Sequence, residues 1–569
     1  MTTSEMLKVL IQTPARVFLI AITIVLMITS SASARPKLVL QITVDQLRGD
    51  MPTRFQDRLG PGGLRYLMSS GVYYTNAHYR HSATFTGTGH ATLATGADPA
   101  QHGIVGNDWY STATGKRVNC VEDANHTLLG EPTRPFKGTS PALLLCSTIG
   151  DELILATSRA SRVFAVSIKD RAAILPAGRL GKAFWYSDKT GRFVTSTYYY
   201  DQYPAWIDAF HKAGHADKYA NTQWRLLGNP KSYVFRNADD RPFERAYRSL
   251  GRTFPHPLSG DLKELYAVLR FTPMGDEYTL TFVKELMRRE RIGQAEAVDM
   301  LAVSFSATDA IGHAFGPNSL EAEDNLLRLD QTLADLFAHV DKMVGLDNTI
   351  IVLSSDHGVD AAPELVPYLE SAADAASGRL EPIRFIADVN EALAKQFGVE
   401  QDLVVGFWNP CLYLDLEVIR EHGLDVFEVE KAIVLELSNV PGIAHAITRT
   451  DLLLGRVPDN PIMHMVQRSF HLQRSGHVFV VQSPGWYMHP KTVYSSMHGS
   501  PWSYDTYVPI VFAGHGLKRH RVHRRVGPES IASTLALVLG IAPPSGNVGE
   551  PLIEVIQQSE SGETIAGPR

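Results

Sequence analysis

The chain has 569 residues, 44% of them hydrophobic and 20% charged, with 44 Gly, 32 Pro and only 3 Cys. Apolar content near the average for a folded protein, with so little cysteine, excludes a collagen-like repeat, a disordered polyelectrolyte and a small disulfide scaffold. The net charge of −6 offers no overall attraction for nucleic acid, so none is expected to bind, and an anionic substrate must be held by local cations or metal.

The first segment reads as an address. Lys8 and Arg16 precede an apolar run over 17–28, and the small residues Ala32-Ser33-Ala34 fit a signal-peptidase site before Arg35. The run is shorter than the roughly 20 residues a bilayer span needs. Residues 1–34 are therefore expected to be a cleaved signal peptide, leaving no membrane span and placing the protein in the periplasm or outside the cell. An oxidising compartment permits one disulfide among Cys120, Cys146 and Cys411, with Cys120 and Cys146 the closer pair.

Short apolar runs of strand type follow, several ending in a polar residue able to do chemistry. Residues 38–44 end at Asp45, 163–168 at Lys169, 300–305 lead to Asp309 and 350–353 to Asp356. Runs at 478–481 and 508–512 read as further buried strands. Between them, 321–343 places Leu329, Leu333, Leu336, Phe337, Val340 and Met343 at spacings of three and four, one helical stripe, and a second helix is expected near 530–539. Alternating strands and helices predict an α/β fold with a mostly parallel central sheet covered on both faces, whose ligands gather at the carboxyl ends of the strands. The rhythm breaks near 198–260 and near 363–475, which are read as insertions. The basic run over 518–525 reads as a solvated loop, and 557–569 as a C-terminal tail. Nothing in the sequence sets an oligomeric state.

Six side chains have the makings of metal ligands. Asp309 and His313, four apart, emerge on one face of a helical turn. Asp356-His357 follows a strand, and Gly358 lets the chain turn so that both can face one ion. Asp45 ends the first strand, and His498 stands in Met497-His498-Gly499. Mixed carboxylate and imidazole donors suit zinc, and six of them suffice for two ions with open positions for substrate. A nucleophile is then required. The segment 81–90 offers Ser82, Thr84, Thr86 and Thr88 ahead of a helix expected to begin near His90, and composition does not choose among them.

In chain order, Val44-Asp45, Thr86-Gly87-Thr88-Gly89-His90, His102-Gly103-Ile104-Val105-Gly106-Asn107, Asp309-x-x-x-His313-x-x-Gly316, Ser355-Asp356-His357-Gly358 and His498-Gly499 resemble the alkaline phosphatase superfamily. More narrowly, the chain resembles the PafA-type alkaline phosphatases, relatives of the nucleotide pyrophosphatase/phosphodiesterases, over about 35–552. The resemblance implies a three-layer fold with inserted accessory segments, making one catalytic domain over 35–556. It implies two zinc ions, one held by Asp309, His313 and His498, the other by Asp45, Asp356 and His357, with Thr86 bound to the second as a further metal ligand and as the residue that attacks phosphorus. It further implies that Asn107, Lys169 and Arg171 contact the phosphoryl oxygens.

On an extended chain Lys169 and Arg171 would share a face, and two cations reward the higher charge of a monoester over a diester. The expected function is an exported zinc-dependent alkaline phosphatase that hydrolyses small phosphate monoesters through a phosphothreonine. The nearest alternative is a phosphodiesterase or nucleotide pyrophosphatase in which Trp185, Tyr186 and 198–200 stack a base. A remoter one is a metal-binding protein without activity. A sulfatase is disfavoured, because Cys146 is followed by Ser147-Thr148-Ile149-Gly150 and not by the Cys-x-Pro-x-Arg pattern of that family.

Overall fold

The structure, a computed structural model, describes residues 35–132, 138–237, 239–366, 377–489 and 494–561. The expected signal peptide, 1–34, lies outside them. Strand β1 (Leu38–Val44) is buried along its whole length. Leu38, Leu40, Ile42 and Val44 enter one apolar cluster and Val39 another, so alternate side chains fill opposite faces and the strand sits inside a sheet covered on both sides.

That sheet has ten strands. After β1 come β2 (Val72–His78), β3 (Val163–Ser167), β4 (Lys182–Ser187), β5 (Arg192–Ser196), β6 (Asp299–Phe305), β7 (Thr349–Ser354), β8 (Tyr507–Gly514) and β9 (His520–Val522), with the two-residue strand Leu128–Leu129 at one margin. Their spatial order is β9, β2, β8, β7, β1, β6, β3, β4, β5, then Leu128–Leu129. The five strands from β7 to β4 run parallel, and β8 and β5 flank them antiparallel. The register aligns Val44 with Phe305, Thr43 with Ser354 and Ser304 with Ser167. The carboxyl ends of β1, β6, β7 and β3 are therefore level, and the chain leaves all four on the same edge of the sheet.

Five helices matter for the layers and the site: α1 (Thr86–Thr95), α2 (Asp170–Ala177), α3 (Ala307–Phe315), α4 (Leu320–Met343) and α5 (Ser530–Leu539). The Ser319 side chain caps α4 by accepting from the Ala322 N–H. Leu329, Leu333, Leu336, Phe337 and Val340 of α4 are buried in one face cluster, and Ile531, Leu535 and Leu539 of α5 in the other. Each such side chain removed from water contributes about 1.5–3 kcal/mol, which fixes the helices as outer layers on the sheet.

The segment 198–260 is sewn into this core. Trp224, Tyr233, Leu250 and Leu258 join the main cluster, and the Trp224 indole N–H donates to Asp324 Oδ2 of α4 at 2.7 Å. Residues 382–482 build a second sheet, in the order Val404–Trp408, Cys411–Leu414, Val478–Gln482, Ile443–Thr448, with its own core under the helices Pro382–Phe397 and Val426–Leu437. The apolar run expected as a further buried strand at 478–481 belongs to this second sheet, because an uninterrupted apolar strand records burial and not its partner.

Three expectations need correction. The basic run is a solvated loop only at its two ends: in its middle His520–Val522 adds an edge strand parallel to β2, with His520 and Arg521 turned to water. All three cysteines are buried and free. Cys120 lies under Gly87, whereas Cys146 Sγ faces the Gln101 carbonyl at 3.4 Å. The last helix spans Ile553–Ser561 and so crosses the expected start of the tail at 557.

Candidate active site

At the level edge of the sheet, Asp45 follows β1, Asp309 and His313 project from α3, Asp356 and His357 follow β7, and His498 enters on the loop before β8. Two triads result, Asp309/His313/His498 and Asp45/Asp356/His357, in each of which the donor atoms lie within 4.8 Å of one another. They are adjacent: the rings of His357 and His498 stack with centroids 3.5 Å apart.

Each histidine is turned the same way. Nδ1 of His313, His357 and His498 faces the carbonyls of Ser496, Gly358 and Thr84 at 2.9, 2.9 and 2.7 Å. A ring nitrogen against a carbonyl must carry the proton, so Nε2 is left with its lone pair aimed into the triad, the usual outer support of a metal-binding imidazole. Burial, with His498 next to it, holds His357 well below the ordinary imidazole range, so it is a neutral donor. Burial and the adjacent Asp45 carboxylate push Asp356 well above the carboxylate range. Asp45 Oδ1 and Asp356 Oδ2 are both buried without a hydrogen-bond partner. Orphaned carboxylate oxygens, crowded like charges and inward lone pairs are the features a dication relieves, and the donor set fits zinc.

Helix α1 begins at Thr86, not near His90 as expected, and all ten of its residues are buried. Thr-Gly-Thr-Gly is poor helix sequence with no apolar stripe, so neither propensity nor periodicity marks this start. The earlier start puts Thr86 in the first turn, where unpaired N–H groups and the helix dipole favour negative charge. Thr86 Oγ1 is 3.5 Å from His357 Nε2, 3.3 Å from Lys169 Nζ and 3.5 Å from an Arg171 terminal nitrogen. The other hydroxyls are placed elsewhere: Ser82 bonds Ser469, Thr84 donates to the Ser500 carbonyl, and Thr88 is fully buried inside the helix.

Lys169 and Arg171 reach the site by a different geometry from the expected extended chain. Lys169 caps α2 and Arg171 lies in its first turn. Lys169 Nζ also contacts Asp45 Oδ2 at 2.7 Å and Asp309 Oδ2 at 2.5 Å, a role the sequence did not signal. Burial alone would lower its pKa, but those two carboxylates raise it, so the ammonium stays charged. Asn107 Oδ1 accepts from the Gly87 N–H at 2.8 Å, which leaves its NH2 to donate into the cavity it lines.

Sequence reasoning also missed Gln46. Its Nε2 donates to Asp309 Oδ1 at 2.9 Å and its backbone N–H to Asp356 Oδ1 at 3.1 Å, tying the two triads together from a residue with φ of 68°. A Cβ at Gly312 would lie 1.9 Å from Gln46 Oε1, so the glycine between Asp309 and His313 makes room for it. Close approach recurs at Gly89, where a Cβ would lie 2.0 Å from the Asp356 carbonyl oxygen. Gly89→Ala must part α1 from the Asp356 turn, and we expect a stability loss of about 1–3 kcal/mol by denaturant titration, together with weaker metal retention. An unchanged unfolding midpoint would show that the helix can yield there.

The cavity in front of Thr86 has a volume of about 510 Å3. The aromatics expected under the diesterase alternative do not line it. Trp185, Tyr186 and Tyr199 are core residues, exposed by 5%, 7% and 3%, and cannot stack a base. Among the described residues no helix is long and apolar enough to cross a membrane.

The type I phosphodiesterase / nucleotide pyrophosphatase family model matches residues 39–501. A Myroides odoratus protein named as a calcium-transporting ATPase is 36% identical over 93% of this chain and 96% of its own length. The alkaline phosphatase PafA of Elizabethkingia meningoseptica is 33% identical over 93% of this chain and 96% of its own length. The crystal structure of wild-type PafA superposes with a TM-score of 0.85, covering 92% of this chain and all of PafA. In a second PafA structure a Thr, an Asn, a Lys and an Arg are substituted together, and they follow one another at the same spacing as Thr86, Asn107, Lys169 and Arg171. The chain belongs to the type I phosphodiesterase / nucleotide pyrophosphatase family and, within the alkaline phosphatase superfamily, to the PafA-like alkaline phosphatases.

Proposed function

We propose that the protein is an exported, zinc-dependent alkaline phosphatase that hydrolyses phosphate monoesters through a phosphothreonine at Thr86. The observation that carries this reading is the setting of Thr86 Oγ1, in the first turn of a helix and within 3.5 Å of His357, Lys169 and Arg171. Export is supported by the charged, apolar and small-residue pattern of 1–34.

Asp309, His313 and His498 would hold one zinc ion and Asp45, Asp356 and His357 the other; so bound, the ions supply Lewis-acid stabilisation of negative oxygen. The chain's own residues do the rest. Thr86 Oγ1 gives up its proton and forms the bond to phosphorus as the bond to the leaving oxygen breaks, and the leaving oxygen gains one proton in exchange and departs as an alcohol. Lys169, Arg171 and the Asn107 NH2 hold the three non-bridging oxygens and meet their charge. Water then attacks the phosphothreonine in line, releasing phosphate and restoring the Thr86 hydroxyl. Two cations beside one phosphoryl group favour the dianion of a monoester over the monoanion of a diester.

The test is hydrolysis of an aryl phosphate monoester and its matching diester by the purified, zinc-loaded protein, with and without chelator. A monoester preference of 100-fold or more, lost on chelation and restored by zinc, is expected. A preference for the diester would replace the monoesterase reading with a phosphodiesterase one.

A further inference from the structure

The cavity is far larger than a phosphate group requires and lies in the range that holds a whole small ligand. A phosphate monoester has a single organic substituent, its leaving group, so the space beyond the phosphoryl group belongs to the alcohol portion. The walls of that space come from segments that supply nothing to phosphoryl transfer. Trp408 ends the strand Val404–Trp408 of the second sheet, Tyr247 belongs to the segment 198–260 and Phe271 follows it; all three line the cavity with Thr86, Asn107 and Lys169.

Trp408 is held as a fixed surface. Tyr110 stacks on it with centroids 4.9 Å apart and planes 26° from parallel, and Tyr413 meets it edge-on at 5.5 Å. The Tyr413 hydroxyl donates to the Arg474 carbonyl at 2.7 Å, which fixes that brace. A Cβ at Gly406 would lie 2.6 Å from Trp408 Cζ3, so the glycine two residues back clears the strand for the indole. Tyr110 stands three residues after Asn107, in the strand Asp108–Ser111, and a Cβ at Gly106 would lie 3.7 Å from the Asn409 carbonyl oxygen. The indole is thereby docked beside the stretch of chain that carries Asn107.

Tyr247 and Phe271 make a second aromatic surface, stacked with centroids 3.7 Å apart and planes 28° from parallel. It adjoins α3, since the backbone N–H of Arg245 donates at 2.8 Å to the carbonyl of Ala314, the residue after His313. Trp408, Tyr247 and Phe271 are each half-buried, with the remainder of each ring turned to the cavity. Rings already braced by other rings lose little freedom when a ligand packs on them, and an aromatic face gains more from a second aromatic ring than from an alkyl group of equal area.

We propose that Trp408, Tyr247 and Phe271 form a leaving-group subsite that selects phosphate monoesters of alcohols carrying an aromatic ring. The inference rests on the phosphatase reading above. The rings pack against the alcohol portion while Lys169, Arg171 and Asn107 hold the phosphoryl group that is transferred.

The experiment compares kcat/KM for ethyl, cyclohexylmethyl and benzyl phosphate in the zinc-loaded wild type, in Trp408→Ala and in Trp408→Phe. All three are esters of primary alcohols of similar acidity, so their ratios report contact with the alcohol portion and not its ease of departure. The wild type should favour benzyl over ethyl phosphate by about 30-fold and over cyclohexylmethyl phosphate by about fivefold. Both ratios should hold as salt rises, since the contact carries no charge. Trp408→Ala should lose most of each, and Trp408→Phe, which keeps an aromatic face, should retain part. The readout is a ratio on one preparation, so partial misfolding lowers all three rates together and leaves the ratio intact. Equal kcat/KM for benzyl and cyclohexylmethyl phosphate in the wild type, or an unchanged benzyl-to-ethyl ratio in Trp408→Ala, overturns the inference and leaves the phosphatase standing. Hydrolysis of none of the three by the wild type removes both.

Discussion

Thr86→Ala is expected to lower monoester turnover by about 1,000-fold or more and to abolish any phosphate label on the denatured protein. The geometry restricts the choice of nucleophile. Of four hydroxyls in the segment, Ser82 and Thr84 are committed to Ser469 and the Ser500 carbonyl, and Thr88 is sealed within α1. Only Thr86 has its oxygen among the second triad and two cations. Removing one hydroxyl leaves intact the six side chains proposed to hold zinc, so zinc content should be unchanged. Thr86→Ser, which restores an oxygen without the methyl group, should recover much of the rate and the label. A label that persists in Thr86→Ala would assign the nucleophile to another residue.

The second large effect is expected from Lys169→Ala/Arg171→Ala. Each cation offers a charged hydrogen bond worth about 1.5–3 kcal/mol, and the pair meets a group that gains charge density as the leaving bond breaks. Monoester kcat/KM should fall by about 1,000-fold, and that of the matching diester by about tenfold, since a diester has one fewer charged oxygen to hold. Lys169 has a second consequence. It bridges Asp45 and Asp309, one carboxylate from each triad, so its loss leaves two buried negative charges facing each other. Zinc should therefore bind at least as tightly in the variant while its metal-free form is less stable, and metal content and thermal unfolding measured together would show this. Equal losses on both esters would mean that the cations serve the framework and not the charge of the substrate.

Much of the fold was readable from local pattern. The runs 38–44, 163–168, 300–305 and 350–353 are buried strands, and the 321–343 stripe is a helix differing by one residue at its start, because burial on two faces or on one stripe leaves a period in the sequence. Patterns without a period misled. The start of α1 is invisible because every residue of that helix is buried, so no face is distinguished. The edge strand at 520–522 carries exposed basic side chains and earns its place only by pairing with β2. The fate of the strand at 478–482 depended on which sheet would accept it, which no local rule encodes.

The site divides in the same way. Residue type and order sufficed to nominate Asp45, Asp309, His313, Asp356, His357 and His498 as donors, since their chemistry is a property of each side chain and each stands beside a strand end or on one helical turn. Which donors lie together, which of four hydroxyls meets them, how Lys169 spans both carboxylates and why Gln46 ties the triads together were decided only when β1, β6 and β7 aligned in register and brought residues more than 250 positions apart to within hydrogen-bonding distance. Contacts of that kind belong to no single stretch of chain: they follow from how the sheet stacks its strands, and that is set by the burial of both its faces.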